Sequence, residues 1–556
     1  MSRRSRRIAT LFLTIVLAAG GAAQPAQRAA IASAHPLATA AGMEVFAAGG
    51  NAFDAAVAVS AALAVVEPYS SGLGGGGLYL LHRADDGRVI MVDGREMAPM
   101  AATADMFLDA DGNLDAMRAR EGPLAVAIPG TPAALAHIAQ RYGELPLAIS
   151  LAPAIRLASD GFVVDQRFAD ISERYVDRLR RWCEPECIYL DHGEPLVVGR
   201  LLVNPALAAT LERFAEQGSA GFYAGETARS LTAFMSAQGG LWDQRDLAAY
   251  SVVERDPLVG EYRGHRIVTA PPPSSGGVTL IETLNVLANF DLDAMSPAQR
   301  VHHLVETWRL TYRDRNQYLG DPDHVDMPLA MLMDRMYAGR LATGIDAEHA
   351  KDSASLPPVV VPREGDTTTH FSIIDADGNR VAATQTVNFR FGSGLVDPAT
   401  GVTLNNQMDD FSAQPGQPNA YGLVQGEANA VAPGKRPLSS MAPTFVEGPR
   451  GFAVVGTPGG GRIISMVTRA VLVYVDGGDG DAMTALPRFH HQYLPDEIQF
   501  EPGALSPEVQ DALRAMGHRL AERRSPFGNM NVVVWDAEAE TATASTDPRI
   551  AAYADY

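Results

Sequence analysis

Apolar positions recur at helical spacing over 36–48, and Gly49-Gly50 stand where that pattern stops. Asn51 follows as a cap, and a run of Ala, Val and Leu continues until Pro68. This run is almost wholly apolar, which predicts a helix buried on every side, and it is too short to cross a bilayer. Short strands are expected over 78–82 and 89–93, around the turn residues Asp85-Asp86-Gly87. Positions 100–250 and 298–350 carry amphipathic helical patterns, with short strands near 251–270. Pro357, Pro358 and Pro362, set among charges, make 353–366 a loop. Beyond it strands dominate 368–404 and 444–457, and helices are expected over 461–476 and 505–517.

The strand that opens after the loop begins with hydroxyls, Thr367, Thr368 and Thr369, followed by His370-Phe371-Ser372. Asp375-Ala376-Asp377-Gly378-Asn379 then supplies turn residues before a second strand from Arg380 to Val387. With a five-residue loop Ile374 faces Arg380, and Thr368 lands opposite Thr386, hydroxyl beside hydroxyl. A two-residue Asp-Gly turn shifts the register by one and sends Thr386 to the other face. Both registers are open at this level. A mid-chain threonine hydroxyl is a poor nucleophile because no base stands beside it. Cutting the bond ahead of it turns its own α-amine into that base, with a pKa of about 7.7–8.0. The 353–366 loop is where such a cut is accessible.

Three further segments carry chemistry. Leu404-Asn405-Asn406-Gln407-Met408-Asp409-Asp410-Phe411 gathers amides and carboxylates, and Pro437-Leu438-Ser439-Ser440-Met441 follows. Gly456-Thr457-Pro458-Gly459-Gly460-Gly461 then joins a strand to a helix start, a place where backbone N–H groups can hold an oxyanion. No Gly-Lys-Ser/Thr follows, so this is not a Walker-type phosphate loop. Nor does a Gly-x-Ser-x-Gly elbow support serine-hydrolase chemistry.

In this order and spacing, these segments closely resemble the small subunit of the γ-glutamyltransferases, members of the N-terminal nucleophile hydrolase superfamily. The first half agrees: His35-Pro36-Leu37-Ala38-Thr39, Gly49-Gly50-Asn51-Ala52-Phe53-Asp54, Ser70-Ser71-Gly72-Leu73-Gly74-Gly75-Gly76-Gly77, Asp93-Gly94-Arg95-Glu96, Pro271-Pro272-Pro273-Ser274-Ser275-Gly276-Gly277 and Tyr318-Leu319-Gly320-Asp321-Pro322 look like large-subunit signatures. The resemblance implies an α/β (α+β) fold, a four-layer αββα sandwich assembled as one interlocked domain from two processed fragments, 24–367 and 368–556. It implies an enzyme that acylates Thr368 with a γ-glutamyl group, from a compound such as glutathione, and passes it to water or to an amino acid or peptide. Thr386 would hydrogen-bond the nucleophile, and Gly459 and Gly460 would offer the oxyanion-hole amides. Arg95, helped by Ser439 and Ser440, matches the position that holds the substrate α-carboxylate. Asp410, with Asn388 and Gln407, matches the position for the α-ammonium. Tyr421 fits the tip of a lid that some members carry over the substrate. Thr367 precedes the nucleophile, so cleavage one residue early is an alternative.

Composition adds the compartment. Residues 1–23 read as a secretory signal, with Arg3, Arg4, Arg6 and Arg7 ahead of an apolar run and Gly21-Ala22-Ala23 as the cleavage site. Export to the periplasm or medium follows, with no membrane partner after removal. Losing four arginines takes the formal net charge from −20 to −24, which argues against nucleic acid. In an exported chain Cys183 and Cys187 suit a small-loop disulfide. His302-His303 and His490-His491 raise metal binding, but adjacent histidines diverge and no carboxylate is read at ligand spacing on a helix face. Neither a metal nor a cofactor is expected.

Two other readings compete. Relatives of this fold deacylate glutaryl or cephalosporin-type amides, but a glutaryl group lacks the ammonium that Asp410 would bind. A non-catalytic exported binding protein has no use for Thr368, Thr386 and the glycine turn together.

Overall fold

The protein is described by a computed structural model over residues 28–551, except 184, 186, 358, 360–366 and 413–425. The expected signal segment, most of the loop before Thr367, and Tyr421 lie outside the described residues.

Two six-stranded antiparallel sheets organise the chain. In sequence their strands are β1 (Ala30–Ala32), β2 (Gly76–His82), β3 (Val89–Gly94), β4 (Val253–Arg255), β5 (Leu258–Tyr262), β6 (His265–Thr269), β7 (Thr369–Ile374), β8 (Arg380–Thr386), β9 (Thr444–Gly448), β10 (Gly451–Gly456), β11 (Asn531–Asp536) and β12 (Thr541–Thr546). The first sheet runs β1-β7-β8-β2-β3-β4, and the second runs β12-β11-β10-β9-β6-β5. Both sheets thus combine strands from before and after residue 368: β7 and β8 insert between earlier strands in the first, and β9 pairs with β6 in the second. A cut at that point leaves each sheet whole.

Alternation along the strands decides what each face touches. Leu78 and Leu80 of β2 share a buried cluster with Ala382, Val454 and Val533, between the sheets. Tyr79 and Leu81 face the other way and join Phe371, Ile373 and Val59. Val59 belongs to α2 (Ala52–Val66), which lies with α1 (Pro36–Ala47) over the first sheet. All fifteen residues of α2 are buried, as its apolar run predicts. Asn51 caps it in a box with Asp54, accepting from Phe53 N–H at 2.9 Å while its own N–H donates to Asp54 at 3.1 Å. Helices α3 (Gly276–Leu287), α4 (Pro297–Tyr318) and α5 (Arg462–Val475) cover the second sheet through Leu284, Trp308 and Val467. Helix, sheet, sheet, helix is the expected four-layer order.

Cys183 and Cys187 are disulfide-bonded, with Cα atoms 4.9 Å apart. Among the described residues no helix is long and apolar enough to cross a membrane.

Candidate active site

The hairpin turn settles the register the sequence leaves open. Asp375 Oδ1 accepts from Asp377 N–H at 3.1 Å and Asn379 N–H at 2.9 Å, closing a five-residue loop with Gly378 at φ +93°. Asp375 Oδ2 also accepts from Ala52 N–H at 2.8 Å, tying the turn to the first residue of α2. Ile374 therefore pairs with Arg380, and the ladder runs on to Thr369 opposite Gln385. One step further, Thr368 Oγ1 donates to Thr386 Oγ1 at 3.3 Å. The two-residue Asp-Gly turn is not formed.

Thr386 has more than one partner. Its hydroxyl donates to the Thr367 carbonyl oxygen at 2.9 Å and accepts from Asn388 N–H at 2.8 Å. Asn388 sits at φ +78°, in the left-handed region that Asn tolerates better than most residues. It is held there by Nδ2–H to Asn406 O at 3.0 Å and by Thr367 Oγ1, which donates to its carbonyl at 2.6 Å. One hydroxyl thus touches both the candidate nucleophile and the carbonyl ahead of it.

His370 and Thr384 lie on the same faces of β7 and β8 as Thr368 and Thr386, turned toward the second sheet. His370 Nδ1 meets Thr384 Oγ1 at 2.8 Å, and Nε2 meets Ser372 Oγ at 3.1 Å. Burial pushes its imidazole down to about 3, so it is neutral and structural. A Cβ on Gly456 would fall 2.3 Å from the His370 ring, so β10 passes directly over this strand. The chain leaving β10 is the Gly459–Gly461 turn, with φ +141° at Gly459 and +58° at Gly460, ahead of α5. Gly459 and Gly460 are therefore carried toward the Thr368 end of the hairpin.

Arg95 leaves β3 fully buried. Its Nη2 donates to Asp410 Oδ2 at 2.5 Å and Leu438 O at 3.1 Å, and its Nε to Pro437 O at 3.0 Å. Gln407 Nε2 donates to the same Asp410 oxygen at 2.5 Å, while Gln407 Oε1 is buried and accepts nothing from the described residues. Arg95 and Asp410, expected to bind two separate substrate charges, here bind each other. Ser439 and Ser440 follow Leu438 in an extended segment, with Ser439 bridged to Ser274. Ser439 Oγ accepts from Met441 N–H at 2.9 Å, and Ser440 Oγ from Arg315 Nη2 at 2.8 Å. The two clusters adjoin through Gly76, which pairs with Thr386 across the sheet and whose Cβ position lies 2.5 Å from Glu96 Oε2. Glu96 Oε2 in turn accepts from Arg95 Nη1 at 3.3 Å.

A family model described as Gamma-glutamyltranspeptidase matches residues 38–555. The chain belongs to this family. It is 44% identical over 530 residues to the glutathione hydrolase proenzyme of Escherichia coli K12, covering 94% of this chain and 91% of that one. Cephalosporin acylase from Bacillus halodurans superposes with a TM-score of 0.82 at 29% identity, over 94% of this chain and 95% of its own. The gamma-glutamyltranspeptidase of Helicobacter pylori matches with a TM-score of 0.57 at 38% identity, over 58% of this chain and 93% of that chain.

Within this gamma-glutamyltranspeptidase framework, sequence reading missed several participants. Glu96 stands beside Arg95 with its carboxyl pushed up to about 7, mainly by burial and partly offset by Arg95. An acid adjacent in sequence to the candidate carboxylate-binding Arg was the available signal. Asn429 joins the far ends of the site, donating to Asp410 O at 2.7 Å and accepting from Leu438 N–H at 3.0 Å. Arg315 braces Ser440 and Ser275 from inside the apparently ordinary helix α4, where nothing local marks it.

Proposed function

We propose that this chain is an autoprocessed γ-glutamyltransferase and glutathione hydrolase, exported and cut into fragments 24–367 and 368–556 after loss of residues 1–23. The observation that carries it is the Thr386 hydroxyl bridging Thr368 Oγ1 and the Thr367 carbonyl oxygen.

That bridge suits maturation. As Thr368 Oγ1 attacks the Thr367 carbonyl carbon, its proton passes to Thr386 Oγ1. The Thr386 proton moves to the carbonyl oxygen, where negative charge develops. Collapse passes that proton on to the departing nitrogen as the C–N bond breaks, leaving an ester and a free Thr368 amine, and water releases the Thr367 carboxylate. The amine then serves as base for the hydroxyl beside it. Thr368 attacks the γ-carbonyl of the donor, with Gly459 and Gly460 N–H groups receiving the oxyanion. The leaving amine departs protonated, and water or an acceptor amine takes the acyl group from Thr368.

Substrate recognition follows from the Arg95–Asp410 pair. A γ-glutamyl group brings a carboxylate to Arg95 and an ammonium to Asp410, so each charge stays compensated when the internal pair opens. Gln407 Oε1 and the Asn388 amide add acceptors for the ammonium, and Ser439 and Ser440 line the carboxylate side.

The deciding experiment is Thr368→Ala on purified protein. The expected product is a single uncut, inactive chain; a variant that still splits and still releases a γ-glutamyl leaving group defeats the proposal. The likeness to cephalosporin acylase keeps a second substrate class in play, glutaryl amides. Comparing γ-glutamyl and glutaryl anilides on one enzyme separates the two, and preference for the glutaryl compound would favour the acylase reading.

A further inference from the structure

Helix α4 carries His302 and Glu306 four residues apart, hence on one face. This corrects the sequence reading, which found no carboxylate at ligand spacing beside the histidine pair. A third donor comes from the far end of the chain: His518, in the turn after α6 (Pro507–Ala515). Donor atoms of all three lie within 4.8 Å of one another, and the three residues are 0%, 1% and 6% exposed. His303 is not part of the group; its Nδ1 bonds back to Gln299 O at 2.9 Å.

We propose that His302, Glu306 and His518 bind one divalent transition-metal ion of the zinc class, tying the fragment before Thr368 to the fragment after it. Two imidazoles and a carboxylate, with a water in the fourth position, are a donor set zinc uses. His302 is already oriented for this. Its Nε2–H donates to the Asp346 carbonyl at 2.7 Å, which leaves the Nδ1 lone pair facing His518 Nε2 at 2.7 Å. Metal entry replaces the His302–His518 hydrogen bond, and the His518 proton relocates to its own Nδ1, so neither ring has to lose charge. Glu306 Oε1 accepts from Arg309 Nε at 3.1 Å and its Oε2 from Lys351 N–H at 3.3 Å, so its carboxylate is already held in place. Arg309 is itself engaged by Ser353 and Asp496.

The test uses tag-free, chelator-stripped protein titrated with Zn²⁺ by calorimetry and with Co²⁺ by visible absorption. One equivalent should bind, and Zn²⁺ should raise the urea midpoint at which the two fragments separate. His302→Asn and His518→Asn should each weaken binding at least tenfold while γ-glutamyl release persists, which shows that the variants are folded. Absence of stoichiometric binding to the wild-type protein, or equal binding by both variants, overturns the proposal. The same titration on uncut Thr368→Ala protein reads the metal site independently of cleavage.

Discussion

Arg95 Nη2 stands 2.5 Å from Asp410 Oδ2, an ion pair formed across 315 positions of sequence and buried at both ends. Removing one partner takes the shortest ion-pair contact from the other, which stays buried. Truncating one member of a buried, hydrogen-bonded charge pair costs about 2–5 kcal/mol. Asp410→Ala should therefore raise KM for a γ-glutamyl anilide by roughly 30-fold or more. A glutaryl anilide, which has no ammonium, should lose far less. Steady-state kinetics with both substrates checks this, and equal losses would remove Asp410 from ammonium recognition.

Thr386 offers its one proton to the Thr367 carbonyl and its lone pairs to Thr368 and Asn388. Thr386→Ala should slow self-cleavage by about 10²–10³, the usual consequence of deleting one donor to a developing oxyanion. Thr386→Ser should restore most of the rate. A gel time course of freshly refolded chain reads both.

Glu96 should set a pH dependence in donor binding. Its carboxyl is raised from 4.5 to about 7 by burial, so its proton stabilises the fold fully below about pH 4.5, and that contribution fades as pH climbs through about 7. Ionisation also adds a second negative charge beside Arg95, where the donor carboxylate binds. KM should rise severalfold as pH passes through about 7, and Glu96→Gln should flatten that step. The Thr368 amine titrates nearby, but it acts on kcat in both proteins. A KM profile unchanged by Glu96→Gln would contradict this role.

Gly456 is where the sheets meet over the nucleophile strand. A Cβ there would lie 2.3 Å from the His370 ring, which hydrogen bonds at both nitrogens prevent from moving aside. Gly456→Ala should cost about 1–3 kcal/mol by overpacking. A lower melting temperature, with cleavage slowed in the folded fraction, is the expected result.

Elements with a strong local period were legible in the sequence. The capped run from Asn51 to Val66, the hairpin of β7 and β8, and α5 behind its glycine turn all formed where the pattern placed them. Helix α3 and the β11–β12 hairpin lay outside the elements the pattern predicted. The register of β7 against β8 was left open because Asp377-Gly378 reads equally as a tight turn; Asp375, bonded to α2, decided it. The Arg95–Asp410 pair was hidden for a different reason. Each residue matched a role separately, but their contact depends on how the 407–410 and 437–440 segments fold over the end of β3.

N-terminal sequencing and intact mass of the purified, active protein test the central claim most directly. Two fragments should appear, the smaller beginning Thr368-Thr369-His370-Phe371-Ser372. Full activity from one unbroken chain would contradict the account.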